Sequence, residues 1–119
     1  MKKCCGLYLK GGALPATPEQ LMRSRYTAYS LAKIGYIART MRGKALSEFN
    51  VQDAKRWALR VKWKGLHVVN TFLESDNKGV VEFIAQFQEG ETLQRIHEIS
   101  VFERIEGQWF YMEGSHRAE

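Results

Sequence analysis

Cysteine, proline and long apolar runs are all scarce in this chain. Its two cysteines are neighbours, Cys4 and Cys5. Adjacent thiols seldom bond to each other, because a disulfide needs correctly opposed Cβ atoms. Two thiols build no disulfide framework, so the expected setting is reducing and cytoplasmic. A closed tetrahedral zinc site needs four ligands, and no C-x-x-C or histidine pair at ligand spacing occurs elsewhere. Two prolines in 119 residues, with 45% hydrophobic and 26% charged residues, exclude a disordered or fibrous chain. No apolar stretch approaches the length of a membrane span, and Met1-Lys2-Lys3 leads into no signal-peptide segment. What remains is enough sequence for one globular domain with a real core. Glycine-rich phosphate loops, nucleophile elbows and His-Glu-x-x-His helices are absent as well, so no motif assigns a reaction. The only aspartates, Asp53 and Asp76, read as a cap and a turn residue.

Acidic residues are missing from one stretch in particular. The formal net charge is +5, yet residues 33–64 carry nine Lys and Arg against Glu48 and Asp53, while residues 65–119 hold ten acids against four bases. A basic segment of that density fits two readings. One is the solvated face that amphipathic helices require. The other is a surface that steers phosphates, in which residues 33–64 meet nucleic acid or a ribosomal surface.

Cap and turn signals divide the chain into an N-terminal stretch, residues 1–16, whose residues 6–16 are a glycine-rich lead-in, and a domain, residues 17–119. Thr17 caps a helix, Pro18 takes its first position and Gln20 completes a capping box. Leu21, Arg25, Ala28 and Ala32 follow at helical spacing until Gly35 interrupts, and a short helix over Tyr36–Met41 ends at Gly43. Asn50 caps a third helix, with Val51, Ala54, Trp57, Ala58 and Val61 on one face and Lys55, Arg56, Arg60 and Lys62 around the rest. From Trp63 the period becomes that of strands. Leu66–Leu73, Val80–Gln88, Leu93–Ile105 and Trp109–Met112 are rich in β-branched and aromatic residues and are separated by Asp76-Asn77-Lys78-Gly79, Glu89-Gly90-Glu91 and Glu106-Gly107.

Four consecutive strands joined by short turns make an antiparallel meander, and its apolar face needs the helices as cover. In the second strand Val81, Phe83, Ala85 and Phe87 share one face, with Val80, Glu82, Ile84 and Gln86 opposite. The predicted fold is therefore α+β: a curved four-stranded antiparallel sheet wrapped over N-terminal helices, a cone with an internal hollow suited to a small molecule.

His97 and Glu98 resemble a base and its partner, but neighbours on a strand point to opposite faces. Glu98, Ser100 and Phe102 share one side; His97, Ile99 and Val101 share the other. Either the Ile99 and Val101 side packs on the core and takes His97 with it, or Glu98 and Ser100 face the hollow. In the second arrangement Arg25 is the partner that a buried carboxylate requires, as a strut between helix and sheet or as part of a ligand site. Tyr26, Tyr29, Trp57, Trp63, Trp109 and Tyr111 can pack the core or stack on a flat ligand. The candidate pocket residues are thus Arg25, Tyr29, Trp63, Glu98, Ser100 and Trp109. Ile84 and Ile96 are candidates for joining the sheets of two copies in a homodimer.

Cys4-Cys5-Gly6, Tyr8-Leu9 and the run from Thr17 to Tyr29, Thr-Pro-Glu-Gln-Leu-Met-Arg-Ser-Arg-Tyr-Thr-Ala-Tyr, resemble the opening of the YchJ-like family of bacterial proteins. Trp63-Lys64-Gly65-Leu66, Val81-Glu82-Phe83, His97-Glu98-Ile99-Ser100-Val101-Phe102 and Gly107-Gln108-Trp109-Phe110-Tyr111 resemble its later blocks. The resemblance implies a nuclear transport factor 2-like fold, the same α+β cone, in a family whose members carry SEC-C zinc motifs. That motif is similar to C-x-C followed further on by C-C or C-H. Cys4 and Cys5 match its closing pair, whereas the opening C-x-C has no counterpart. Residues 1–16 are then a remnant of the motif and Cys4 and Cys5 an incomplete, empty metal site. Zinc is expected only where a longer N-terminus supplies two more cysteines, and no other cofactor is expected. The leading expectation is a non-catalytic cytoplasmic binding or adaptor module for a macromolecular partner. The alternative is a small-molecule binding protein or enzyme that uses the hollow.

Overall fold

The helix signals around Thr17 act as their chemistry predicts. In the computed structural model, which describes residues 14–116, helix α1 runs Pro18–Ser30. The Thr17 hydroxyl accepts from the Gln20 amide at 3.1 Å, and the Gln20 side chain accepts from the Ala16 amide at 2.8 Å, one residue further back than a capping box requires. Cys4 and Cys5, the expected zinc remnant, lie outside the described residues.

α1 stops earlier than its apolar spacing predicts. Ala32 has φ +56°, its amide donates to Tyr29 O at 3.1 Å and the Lys33 amide donates to Ala28 O at 2.8 Å. These two bonds form a Schellman closure, which is usually built on glycine. Gly35 instead lies inside α2, Ile34–Arg39. Gly43, expected to end that helix, has φ +62° and opens a short α3, Gly43–Ser47, which the sequence reading does not contain. α4, Val51–Arg60, starts as predicted at Asn50, whose side chain accepts from the Asp53 amide at 2.9 Å.

The strands β1 Val61–Ser75, β2 Lys78–Glu89, β3 Thr92–Ile105 and β4 Gln108–His116 form one antiparallel sheet in the order β1-β2-β3-β4. The predicted meander is present, with β1 beginning directly after α4 and β4 continuing past Met112. Register shifts between Trp63 and Gly65, Val68 and Asn70, and Leu73 and Ser75 bend β1, and one between Val101 and Phe102 bends the β3–β4 pair. Bulges increase twist and curl the sheet around the helices. Gly79, at the start of β2, lets Pro18 of α1 come so close that a Cβ there would lie 2.6 Å from Pro18 Cγ.

The inner face carries the core. Val81, Ala85 and Phe87 of β2 are buried, and Val81, Phe102 and Trp109 pack with Leu21 and Met22 of α1. A second cluster joins Ala28, Tyr36, Ile37 and Met41. The Ile99 and Val101 side therefore faces outward, which settles the His97 alternatives. His97 sits on the outer face, with Nε2 2.6 Å from Glu82 Oε2. Ile84 pairs with His97 on that face, but Ile96 pairs with Ala85 and lines the interior, so it is unavailable for contact between sheets. At the far margin Tyr111 N donates to Thr40 O at 2.9 Å and Arg42 N to Tyr111 O at 3.1 Å, so the chain before α3 pairs along β4.

Candidate functional site

Between the helices and the inner sheet face lies a hollow of about 520 Å³, within the size range of small-molecule sites. Its polar side begins on α1. Leu21, Arg25 and Ala28 follow one another on the buried helix face, so Arg25 enters the interior and is only 7% exposed. Its Nη1 donates to Ile37 O at 2.9 Å and to Thr40 Oγ1 at 2.7 Å. Thr40 in turn donates to Tyr36 O at 2.8 Å. Burial lowers the Arg25 pKa from its usual value, an effect opposed by Tyr29, Tyr111 and Glu98. The guanidinium stays charged nonetheless, as it does in proteins generally.

Across the hollow, Glu98 Oε2 accepts from Ser100 Oγ at 2.5 Å and from the Tyr111 hydroxyl at 2.9 Å. The Arg25 guanidinium carbon lies 4.6 Å from the centre of the Tyr111 ring. Arg25 and Glu98 are thus linked through Tyr111, with the guanidinium on the ring and the carboxylate on its hydroxyl. Burial, reinforced by the charge and hydrogen bond of Glu98, raises the Tyr111 pKa far above its ordinary value and keeps the phenol protonated. Burial also raises the Tyr29 pKa, while Arg25 pulls it back.

The apolar side is aromatic. Trp63 on β1 meets Tyr26 and Trp57 at 5.2 Å between ring centres and Phe87 at 5.5 Å, and Tyr29 meets Trp57 at 6.0 Å. The Trp63 Nε1 is buried among these rings without a hydrogen-bond partner among the described residues. Lys44, Glu48 and Glu113 are exposed at the rim.

Five of the six predicted pocket residues, Arg25, Tyr29, Trp63, Glu98 and Ser100, share this hollow. Trp109 does not line it. Only 3% exposed, it packs among Leu21, Met22, Val81 and Phe102 and donates Nε1 to Ala16 O at 3.2 Å. Sequence reasoning missed Tyr111 as the donor to Glu98, and Gly114 beneath them both. A Cβ on Gly114 would run into Glu98 Oε2 and the Tyr111 hydroxyl. A glycine within a strand signals such a close approach, but the predicted fourth strand ends at Met112, two residues short of Gly114.

The basic residues of segment 33–64 are all exposed. Arg56 pairs with Asp53 and Arg60 with Glu89, while Arg39 and Arg42 lie over the rings of Tyr36 and Phe110. Among the described residues, no helix is long and apolar enough to cross a membrane.

A curved antiparallel meander closed over N-terminal helices around a hollow lined by rings and a few polar groups defines the nuclear transport factor 2-like class. The family model described as "YchJ, middle NTF2-like domain" matches residues 17–114, and the chain belongs to this YchJ-like family. It is 34% identical over 114 residues to a UPF0225 protein of Geobacter sulfurreducens, covering 94% of this chain and 71% of that protein. To a UPF0225 protein of Chromobacterium violaceum it is 41% identical over 114 residues, covering 93% and 83%. The solution structure of a SEC-C motif containing protein from Rhodopseudomonas palustris is similar at a TM-score of 0.88 and 35% identity, covering 97% of this chain and 90% of that one.

Proposed function

We propose that this domain is a small-molecule binding module whose ligand occupies the hollow, with a flat apolar body against the aromatic wall and a polar end toward Arg25 and Glu98. One observation carries the reading: a single cavity sets the buried Arg25 and the Glu98–Ser100–Tyr111 cluster against Tyr26, Trp57 and Trp63. Core packing alone calls for no buried guanidinium, since desolvating a charge is costly unless its partners repay it. The test is a metabolite library read by melting temperature and by indole fluorescence, because Trp57 and Trp63 line the cavity. A ligand at a hundred times its dissociation constant stabilises the fold by about 2.7 kcal/mol. A library that moves neither signal sinks the reading.

The adaptor reading keeps one observation in its favour. Lys55, Lys62 and Lys64 are exposed and without ion-pair partners among the described residues. On this reading they attract phosphates of a nucleic acid. Binding would then weaken with salt, by a slope of about 0.9 per phosphate contact on a double-logarithmic plot. Changing all three to Glu would flatten that slope, and undetectable RNA or DNA binding at low ionic strength removes the reading.

A further inference from the structure

The polar side of the hollow holds more donors than it uses. Arg25 carries five N–H bonds, and its Nη1 serves Ile37 and Thr40. Its Nε and Nη2 have no hydrogen-bond acceptor among the described residues, although the side chain is more than nine-tenths buried. Tyr29 stands four residues on along α1, hence beside Arg25 on the same helix face. Its hydroxyl has no hydrogen-bond partner among the described residues either, and both side chains line the hollow. These donors open onto the hollow, so a ligand oxygen there can accept from them in exchange for water.

The charges decide what that acceptor is. Arg25 and Glu98 bring opposite charges to one cavity and are joined through Tyr111. A carboxylate on the ligand would face Glu98, and an ammonium would face Arg25. Either would bring an uncompensated third charge into a site partly shielded from water. Tyr26, Tyr29, Trp57 and Trp63 supply ring faces and edges for an extended apolar body.

We propose that the hollow takes an uncharged, flat apolar carbonyl compound, whose oxygen accepts from the free guanidinium edge of Arg25 and from the Tyr29 hydroxyl. This assignment rests on the small-molecule reading above and adds the chemical class of the ligand.

The experiment uses the full chain and naphthalene probes differing only in one substituent: acetyl, ethyl, carboxylate or aminomethyl. Affinity is read by indole fluorescence, and location by amide chemical-shift changes at hollow residues. The acetyl probe is expected to bind about tenfold more tightly than the ethyl probe, as one or two gained hydrogen bonds dictate, with both charged probes weaker than the acetyl one. Because Arg25 also holds Ile37 and Thr40, the decisive variant is Tyr29→Phe, which deletes only a hydroxyl without a partner. It should weaken the acetyl probe about threefold to tenfold and leave the ethyl probe unchanged. A carboxylate or aminomethyl probe that binds tightest, or a Tyr29→Phe variant indifferent to the acetyl group, overturns the carbonyl assignment while leaving the hollow a binding site. If no probe shifts hollow resonances, the small-molecule reading itself falls and takes the assignment with it.

Discussion

The Tyr111 hydroxyl reaches the Glu98 carboxylate, 2.9 Å away, by lying over Gly114, the residue of β4 paired with Ser100. Three positions on two strands thus form one device: a donor, an acceptor and the bare backbone that gives them room. In Gly114→Ala the new methyl displaces the carboxylate or the phenol. Alanine is otherwise easily accommodated in a strand, so a loss of about 1–3 kcal/mol in urea unfolding would isolate the broken Tyr111–Glu98 contact. Unchanged stability would show that the pair tolerates separation.

The same phenol makes alkaline stability diagnostic. Folded Tyr111 keeps its proton above the ordinary tyrosine value of 10.0, whereas the unfolded chain releases it there. Between those two points the native state binds more protons than the unfolded state, so stability falls as pH rises past about 10. One such group contributes a slope of about 1.4 kcal/mol per pH unit, and Tyr29 acts in the same direction. Tyr111→Phe should make the decline between about pH 10 and 11.5 shallower by one proton's worth. Denaturant midpoints across that range give the slope directly, and equal slopes in the two proteins would refute the assignment.

Ala32 is the residue whose backbone most invites replacement. Its φ of +56° closes α1 in a conformation that costs an L-residue about 1–2 kcal/mol, and glycine adopts it freely. Glycine also loosens the unfolded chain, which takes back part of the gain. Ala32→Gly should therefore stabilise the protein by about 0.5–1 kcal/mol, seen as a higher urea midpoint with unchanged m-value.

Thr40 supports the guanidinium on which the candidate site depends. Thr40→Val keeps the shape but removes the acceptor for Arg25 Nη1 and the bond to Tyr36 O. Hydrogen bonds to charged groups are worth about 1.5–3 kcal/mol, so the melting temperature should drop accordingly. A neutral outcome would mean that water or Ile37 O alone satisfies the cation.

Much of this architecture was written in local chemistry. The Thr17–Pro18–Gln20 cap, the Asn50 cap and the turns at Asn77, Gly90 and Gly107 each use residues whose conformational preferences are strong. The parity of Glu98 and Ser100 against His97 follows from strand geometry alone. What escaped depends on partners distant in sequence. Ala32 carries no residue signature of a left-handed turn, which shows only in its φ and in the closing bonds to Tyr29 O and Ala28 O. Gly43 reads equally as a stop or a start, and only Met112, whose Cε would lie 2.9 Å from a Cβ there, shows what constrains it. β1 begins at Val61 with no turn residue after Arg60, so the change from helix to strand left no punctuation. At the site, Trp109 and Trp63 are alike in composition and in facing the interior. Only the packing of Leu21 and Met22 decides that one fills the core and the other walls the hollow.

The two margins of the sheet are treated differently, and this governs how the molecule tolerates crowding. The segment Thr40–Arg42 covers the outer ladder of β4 at Tyr111. The outer rail of β1, unpaired among the described residues, is thrown out of step at three places along its length and carries Lys62 and Lys64 near one end. An incoming foreign strand finds a blocked side and a broken one, so the cone resists growing into filaments by its own backbone geometry.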